Sequence, residues 1–243
     1  MKIAVIGGTG LIGSQVVKLL NEEGHKAVPH SSSTGVDLLT GNGLTAALDR
    51  ADVVVDLSNS PTFDEASLAF FQTSMDNLLS AAAAAGVGHA VILSIVGVDK
   101  VPDDPYYRAK VLQEELLKTD PVPYSIVRST QFDEFLNALI NQFPDDADPV
   151  RLPTTKVQPI ASADIARAVA DVVVGAPLNG TRNVAGPEVF TLDELGRITL
   201  EAKGDTRTVV GDDSVSDGDA RILGDGDDAL IAKTTYREWL ASR

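Results

Sequence analysis

Ile3-Ala4-Val5-Ile6-Gly7-Gly8-Thr9-Gly10-Leu11-Ile12-Gly13 decides the fold of this 243-residue chain. Its first four residues are apolar and three are β-branched, as in a parallel strand buried on both faces. Glycines then end the run. Ile12, Val16, Val17, Leu19 and Leu20 recur at helical spacing, and Gly24 is a stop signal. Between strand and helix, Gly8, Gly10 and Gly13 spell G-x-G-x-x-G, while Gly7, Gly10 and Gly13 spell G-x-x-G-x-x-G. A tight turn needs glycine's torsional freedom. A side chain here would hold a pyrophosphate off the backbone. The helix that opens near Leu11 offers free N–H groups and its positive dipole end to an anion. Strand, glycine loop and helix in this order predict a dinucleotide site. Its pyrophosphate-facing residues are Gly7, Thr9, Gly10, Leu11, Ile12 and Gly13.

The same alternation continues outward. Lys26–Val28 reads as a second strand, Gly35–Leu39 as a short third and Val53–Leu57 as a β-branched fourth, with a brief helix at Leu44–Asp49. A long helix at Ser67–Ala85 stops at Gly86. Ala90–Val96 and Tyr124–Arg128 read as strands on either side of a helix at Tyr106–Lys118. The pattern predicts an α/β fold, a doubly wound parallel (Rossmann) sheet over residues 1–130. Residues 131–243 are expected to form a smaller C-terminal substrate-binding part, a lid packed on the core, with a strand and helix near 158–175 returning to it. That part holds a helix at Phe132–Phe143, a helix from Ser162 to Val174, and a capping box at Thr191-Leu192-Asp193-Glu194. Trp239 and Leu240 are expected to tie down the C-terminus. Gly211–Asp228 is acidic and glycine-rich, which reads as a loop; it lacks the spacing of a calcium loop.

Composition narrows the function classes. Apolar residues make up 44% of the chain, enough for a sizeable core. No cysteine is present, which excludes disulfides, thiolate zinc sites and a cysteine nucleophile. The net charge of −15 would repel a phosphate backbone, so no nucleic-acid partner is expected. No apolar run reaches the ~20 residues of a membrane helix, and Met1-Lys2 leads straight into the first strand without a secretory pattern. The expectation is a cytoplasmic protein, monomer or homodimer, whose partner is a small molecule and which does not touch membranes. His25, His30 and His89 are scattered without ligand spacing, so no metal site is expected.

Two segments bear on the chemistry. At the end of the second strand an NAD site usually carries an acid for the ribose 2′-hydroxyl. Here the chain reads Val28-Pro29-His30-Ser31-Ser32-Ser33-Thr34. His30, Ser31 and Ser32 suit a 2′-phosphate, so NADP is the expected cofactor, with NAD as the alternative. Farther on, Tyr106-Tyr107-Arg108-Ala109-Lys110 contains Y-x-x-x-K. On a helix, residues i and i+4 share a face. An ammonium one turn from a phenol favours the phenolate, and such a tyrosine works as a general acid or base. Ser94, at a strand's carboxyl end, faces the ligand crevice of such a sheet. Phe63, Phe70, Phe71, Phe132 and Phe135 suit either an apolar pocket wall or the core.

These motifs together resemble the atypical short-chain dehydrogenases/reductases of the NmrA-like kind. The resemblance rests on Gly7–Gly13, Val36-Asp37-Leu38-Leu39, Asp56-Leu57-Ser58-Asn59, Asn77-Leu78-Leu79 with its alanine tail, Ser94, and Tyr106 to Lys110. It covers roughly residues 1–130, and Gln158–Asp164 looks like the family's return strand and helix. It implies that Asp37 lies by the adenine ring and that Ser58 and Asn59 line the cofactor's path. It also implies that Tyr106 donates a proton to a carbonyl oxygen, that Lys110 holds the nicotinamide ribose and tunes Tyr106, and that Ser94 positions the substrate. The implied activity is hydride transfer between a nicotinamide and a small carbonyl, enone or quinone-like substrate. The alternatives are a cofactor-sensing regulatory protein, and an epimerase, dehydratase or polyketide-tailoring oxygenation enzyme that retains the cofactor. One departure stands out: Phe71 occupies the place where many extended relatives carry a proton-relay asparagine.

Overall fold

The computed structural model describes residues 1–141, 143–144, 147–214 and 229–243. It divides into two compact units, one of residues 1–128 and 166–182, the other of residues 129–165 and 183–243.

The first unit starts with β1 (Lys2–Ile6), α1 (Leu11–Glu22) and β2 (Lys26–His30). It continues through α2 (Leu44–Leu48), β3 (Val53–Asp56), α3 (Ala66–Ala85), β4 (His89–Ile95), α4 (Pro105–Thr119) and β5 (Tyr124–Ser129). The remaining elements are α5 (Asp133–Asn141), β6 (Val150–Leu152), β7 (Lys156–Val157), α6 (Ser162–Val174), β8 (Gly180–Ala185), β9 (Phe190–Thr191), α7 (Leu192–Ala202), β10 (Val209–Gly211), β11 (Leu230–Ile231) and α8 (Tyr236–Ala241). The main sheet has seven strands in the order β11-β8-β5-β4-β3-β1-β2. Its β1–β2, β1–β3 and β3–β4 pairs are all parallel. The chain therefore runs out from β1 to β2 and crosses back to β3. That reversal puts a topological switch point between β1 and β3, where open α/β sheets bind ligands at the carboxyl ends of their strands.

The two apolar faces of these strands explain the layering. Ala4, Ile6, Val54, Ala90 and Ile92 join Leu44, Leu48, Met75, Leu78, Leu79 and Leu117 in one buried cluster. Helix α3 buries Phe71, Met75, Leu78, Leu79 and Ala82, a stripe of helical period. Gly86 ends it in a left-handed cap at φ 70°.

The third strand expected at Gly35–Leu39 is not there. A single 3-10 turn at Ser32–Thr34 runs into turns instead. Gly35, Gly41 and Gly43 all have φ between 75° and 90°. The Asp37 carboxylate accepts hydrogen bonds from Leu39 N (2.8 Å) and Thr40 N (3.4 Å). Those amides are satisfied locally and have nothing left for a ladder. The strand read at Val53–Leu57 is thus the third.

The second unit has its own core, in which Leu136, Ile140, Val157, Leu192, Leu195, Tyr236 and Trp239 pack together. Helices α7 and α8 each begin with a capping box, since Glu194 accepts from Thr191 N at 2.8 Å and Glu238 from Thr235 N at 2.9 Å. Strand β6 pairs β10, and β7 pairs β9. The helix expected at Phe132–Phe143 is α5, described over Asp133–Asn141.

Asp133, on the first turn of α5, is 1% exposed, and neither of its carboxyl oxygens has a hydrogen-bond partner. Burial pushes its pKa up to about 8, and the nearby carboxylates Glu134, Asp164 and Glu188 push the same way against Arg243. Glu134 is better provided for, with Ser162 Oγ at 2.6 Å, Trp239 Nε1 at 3.1 Å and Arg243 at 2.5 Å. No described helix is long and apolar enough to cross a membrane.

Candidate active site

The glycine loop leaves β1 at the switch point, and its geometry requires glycine. Gly7 has φ +71°, and a Cβ there would lie 2.6 Å from the carbonyl of Leu57, just after β3. A Cβ on Gly8 would meet Val5 O at 2.6 Å and Pro29 Cα at 2.7 Å, and one on Gly13 would meet Gly7 O at 2.2 Å. The loop is drawn in by Gly8 N to His30 O (3.3 Å) and by Gly10 N to Gly7 O (3.0 Å). Thr9, Gly10 and Leu11 remain exposed. Helix α1 begins at Leu11 with no acidic residue in its first turn, so no carboxylate competes for the N–H groups there. The cradle fits a pyrophosphate.

At the end of β2 the hydroxyls are partly engaged among themselves. Ser31 N donates to Thr34 Oγ1 at 2.7 Å, and the Ser31 and Ser33 hydroxyls are 2.8 Å apart. Ser32 is exposed. Burial, helped by the charge of Lys2, holds His30 below the usual histidine range. The imidazole is therefore neutral at pH 7 and offers a phosphate a hydrogen bond but no charge. The Asp37 carboxylate holds its own turn together, and its pKa is lowered first by the Leu39 amide.

Helix α4 carries the tyrosine–lysine pair. Asp104 caps it by accepting from Tyr107 N at 3.0 Å, and Pro105 opens it. Tyr106 therefore sits in the first turn and Lys110 in the next. The Tyr106 hydroxyl donates to Asn59 Oδ1 at 2.7 Å. Phe63, 56% exposed, stands edge-on to the Tyr106 ring at 4.9 Å.

Lys110 is buried, at 3% exposure. Its ammonium donates to Leu93 O at 2.8 Å and to Gln113 Oε1, and lies 4.8 Å from the centroid of the Phe71 ring. Burial pushes its pKa down to about 8, against the pull of Asp56 and Glu114. Gln113 Nε2 in turn donates to Asp56 Oδ2 at 3.0 Å. Asp56 is itself buried at the end of β3, and its Oδ1 accepts from Ser58 N at 2.9 Å. Burial raises its pKa, while Ser58, Lys110 and Gln113 oppose that.

Ser94 is buried on β4, and its hydroxyl makes no hydrogen bond of good geometry. It lies close enough to Glu114 to help lower that carboxyl. Glu114, buried too, takes two hydrogen bonds from Arg128, at 2.8 and 2.7 Å. Burial would raise Glu114, but the Arg128 hydrogen bonds, Ser94 and the charges of Arg128 and Lys118 together outweigh it and hold the carboxyl low. This paired charge ties α4 to β5.

The structure thus joins Asn59 to the Tyr106 hydroxyl and sets Lys110 one helical turn farther along α4, with the glycine loop against the Leu57–Ser58 turn. The Ser58 hydroxyl is buried and makes no hydrogen bond of good geometry. Asp37 serves its own loop and Ser94 faces Glu114. Sequence reasoning missed Gln113 altogether and met Asp56 only as part of a motif. The available signal was the i+3 spacing from Lys110 to Gln113 and a lone acid ending an apolar strand. Among the histidines, His89 is buried and its Nε2 bonds the Ser125 hydroxyl at 2.8 Å. Among the described residues no group of three or more His, Asp or Glu is placed to hold a metal.

Comparison with known proteins bears on the family and the fold. A family model described as NAD(P)H-binding matches residues 7–175. Photosystem II assembly factor Ycf39 of Synechocystis is 29% identical over 160 residues, 59% of this chain and 48% of that protein. The chain thus spans about half the length of that relative. The (4-alkanoyl-5-oxo-2,5-dihydrofuran-3-yl)methyl phosphate reductase of Streptomyces griseus is 33% identical over 214 residues, 79% of this chain and 70% of that protein. Among solved structures, MoeE5 in complex with UDP-glucuronic acid and NAD superposes with a TM-score of 0.81 at 21% identity, over 100% of this chain and 97% of that one. At that identity the likeness speaks for the fold alone. The chain belongs to the NAD(P)H-binding family, as an atypical short-chain dehydrogenase/reductase.

Proposed function

We propose that this protein is an NAD(P)-dependent oxidoreductase that reduces a small carbonyl, enone or quinone-like substrate, with Tyr106 as proton donor. The observation that carries this reading is the Tyr106 hydroxyl, held at 2.7 Å by Asn59 one helical turn from the buried Lys110 ammonium. Nicotinamide, when bound, supplies the hydride. The chain's own residues do the rest. Gly7–Gly13 and the start of α1 hold the pyrophosphate. Lys110, one helical turn from Tyr106, would carry the positive charge that makes it easier for the phenol to give up its proton. Tyr106 Oη passes that proton to the substrate oxygen, and Asn59 fixes the direction of the hydroxyl. The exposed Phe63 gives the neighbourhood an apolar wall, which suits a flat, weakly polar substrate.

A panel of quinones, enones and small carbonyls tests this by NADPH oxidation. Wild type is expected to turn over a member of it, and Tyr106→Phe to lose about 100-fold or more in kcat while keeping its NADPH affinity. Equal rates for the two proteins would remove Tyr106 from the mechanism.

NADPH is the proposed cofactor, with NADH as the alternative. The end of β2 offers hydroxyls and a neutral imidazole but no charge. The preference for NADPH is therefore expected to be slight, within about tenfold in Kd. Calorimetric titration with each cofactor measures it, and a preference of several hundredfold would require a cation that this segment lacks.

The similarity to Ycf39 favours a second reading, a cofactor-binding protein that assists assembly and turns nothing over. Such a protein would bind both redox forms, leave the whole panel unreacted and tolerate Tyr106→Phe.

A further inference from the structure

We propose that Gln113 is a positioning residue: its amide clamps the Lys110 ammonium on one side and the Asp56 carboxylate on the other, and so sets where Lys110 sits and how tightly it holds its proton. This rests on the reading of Lys110 as the residue that meets the nicotinamide ribose.

Gln113 is wholly buried on α4, 0% exposed. Only one orientation of its amide serves both neighbours. The oxygen must face Lys110 and the nitrogen must face Asp56. Asp56 Oδ1 meanwhile fixes Ser58 N, which starts the turn that delivers Asn59 to Tyr106. One connected set of hydrogen bonds therefore reaches both ends of the Tyr106–Lys110 pair from the end of β3. The other groups around the ammonium are Leu93 O from β4 and the Phe71 ring from α3. The charges that face it are Asp56 from β3 and Glu114 from its own helix. Gln113 is neutral, yet it decides how Asp56 and Lys110 meet. Two buried charges bridged by an amide are satisfied without direct contact, whereas losing the bridge leaves both short of a partner.

The test follows Lys110 itself. In protein labelled with 13C-lysine, the Lys110 Cε signal, assigned by its loss in Lys110→Arg, is titrated against pH. Wild type should give a midpoint near 8. Gln113→Leu keeps the volume and removes the acceptor, so the midpoint should fall by about one unit or more. Gln113→Glu restores an acceptor, so its midpoint should stay at or above that of wild type. Should Gln113→Leu fail to fold by circular dichroism, Gln113→Met makes the same test. A midpoint unmoved in the apolar variant, or lowered alike by Leu and Glu, overturns the proposal.

The NADPH affinity of Lys110→Met, read by fluorescence, is measured alongside. Unchanged affinity in that variant overturns the reading of Lys110 as the ribose contact. A midpoint that still follows Gln113 would uphold the positioning claim on its own. Weakened affinity with a midpoint indifferent to Gln113 overturns this proposal and spares the reading beneath it.

Discussion

Gly13→Ala is expected to abolish measurable NADPH binding. The added Cβ would sit 2.2 Å from Gly7 O and 2.7 Å from Gly8 Cα. Both are backbone atoms of the turn proposed to hold the pyrophosphate, so no side chain can step aside. The loop must open or α1 must shift, and either displaces the N–H groups from the anion. A loss of about 100-fold or more in affinity is expected, with a stability loss of roughly 1–3 kcal/mol from overpacking. Calorimetry measures the first and thermal unfolding the second. Gly88→Ala is the control: its Cβ would make only an ordinary contact, 3.6 Å from Asp52 O. Wild-type affinity in Gly13→Ala would mean that the cofactor does not lie on this loop.

Asp133→Asn is expected to stabilise the protein above neutral pH. The Asp133 carboxyl titrates near 8 in the folded protein and near 4 when unfolded. The folded state therefore holds an extra proton between those values, and stability falls as pH rises through that window. The loss is complete once the pH passes about 8. Each pH unit across the window costs up to ~1.4 kcal/mol, so the whole effect is on the order of 5 kcal/mol at most. Asparagine cannot ionise, and its amide donors suit a site whose neighbours, Glu134, Asp164 and Glu188, are acceptors. Urea unfolding of both proteins from pH 5 to pH 9 should show wild type declining more steeply, with the variant ahead by several kcal/mol at pH 9. Parallel curves would mean that Asp133 is not the group responsible.

The parts of the fold that could be read from the sequence are those fixed by local pattern. The run Ile3–Ile6, the glycine loop and the β-branched Val53–Val55 each carry strand or turn chemistry in their own residues. The failure at Gly35–Leu39 has a local cause too. Val36 and Leu38 alternate with polar residues as a strand would, but Asp37 captures the amides of Leu39 and Thr40, and three glycines with positive φ bend the chain. Of the candidate site, Tyr106 and Lys110 were legible because their spacing is that of a helix face. Gln113 was not, because a glutamine on a helix usually faces water, and only the packing of α4 turns this one inward. The same holds for Asp133: an acid in a helix's first turn reads as a favourable dipole contact, and the sequence does not say that tertiary packing buries it. The acidic run read as a loop at Gly211–Asp228 is described only as far as Ser214. There Asp212 pairs with Arg151 at 3.1 Å, and Asp213 accepts from Thr154 N at 3.3 Å. The remainder of that run, 215–228, lies outside the described residues.

The most direct test of the whole account is a crystal structure of the protein with NADPH. It should show the pyrophosphate on the N–H groups of the loop from Gly7 to Gly13 and Lys110 on the nicotinamide ribose. The Tyr106 hydroxyl should lie within hydrogen-bonding reach, about 3 Å, of the position a substrate oxygen takes over the nicotinamide C4. A nicotinamide bound elsewhere, or a Tyr106 hydroxyl turned away from the ring, would contradict it.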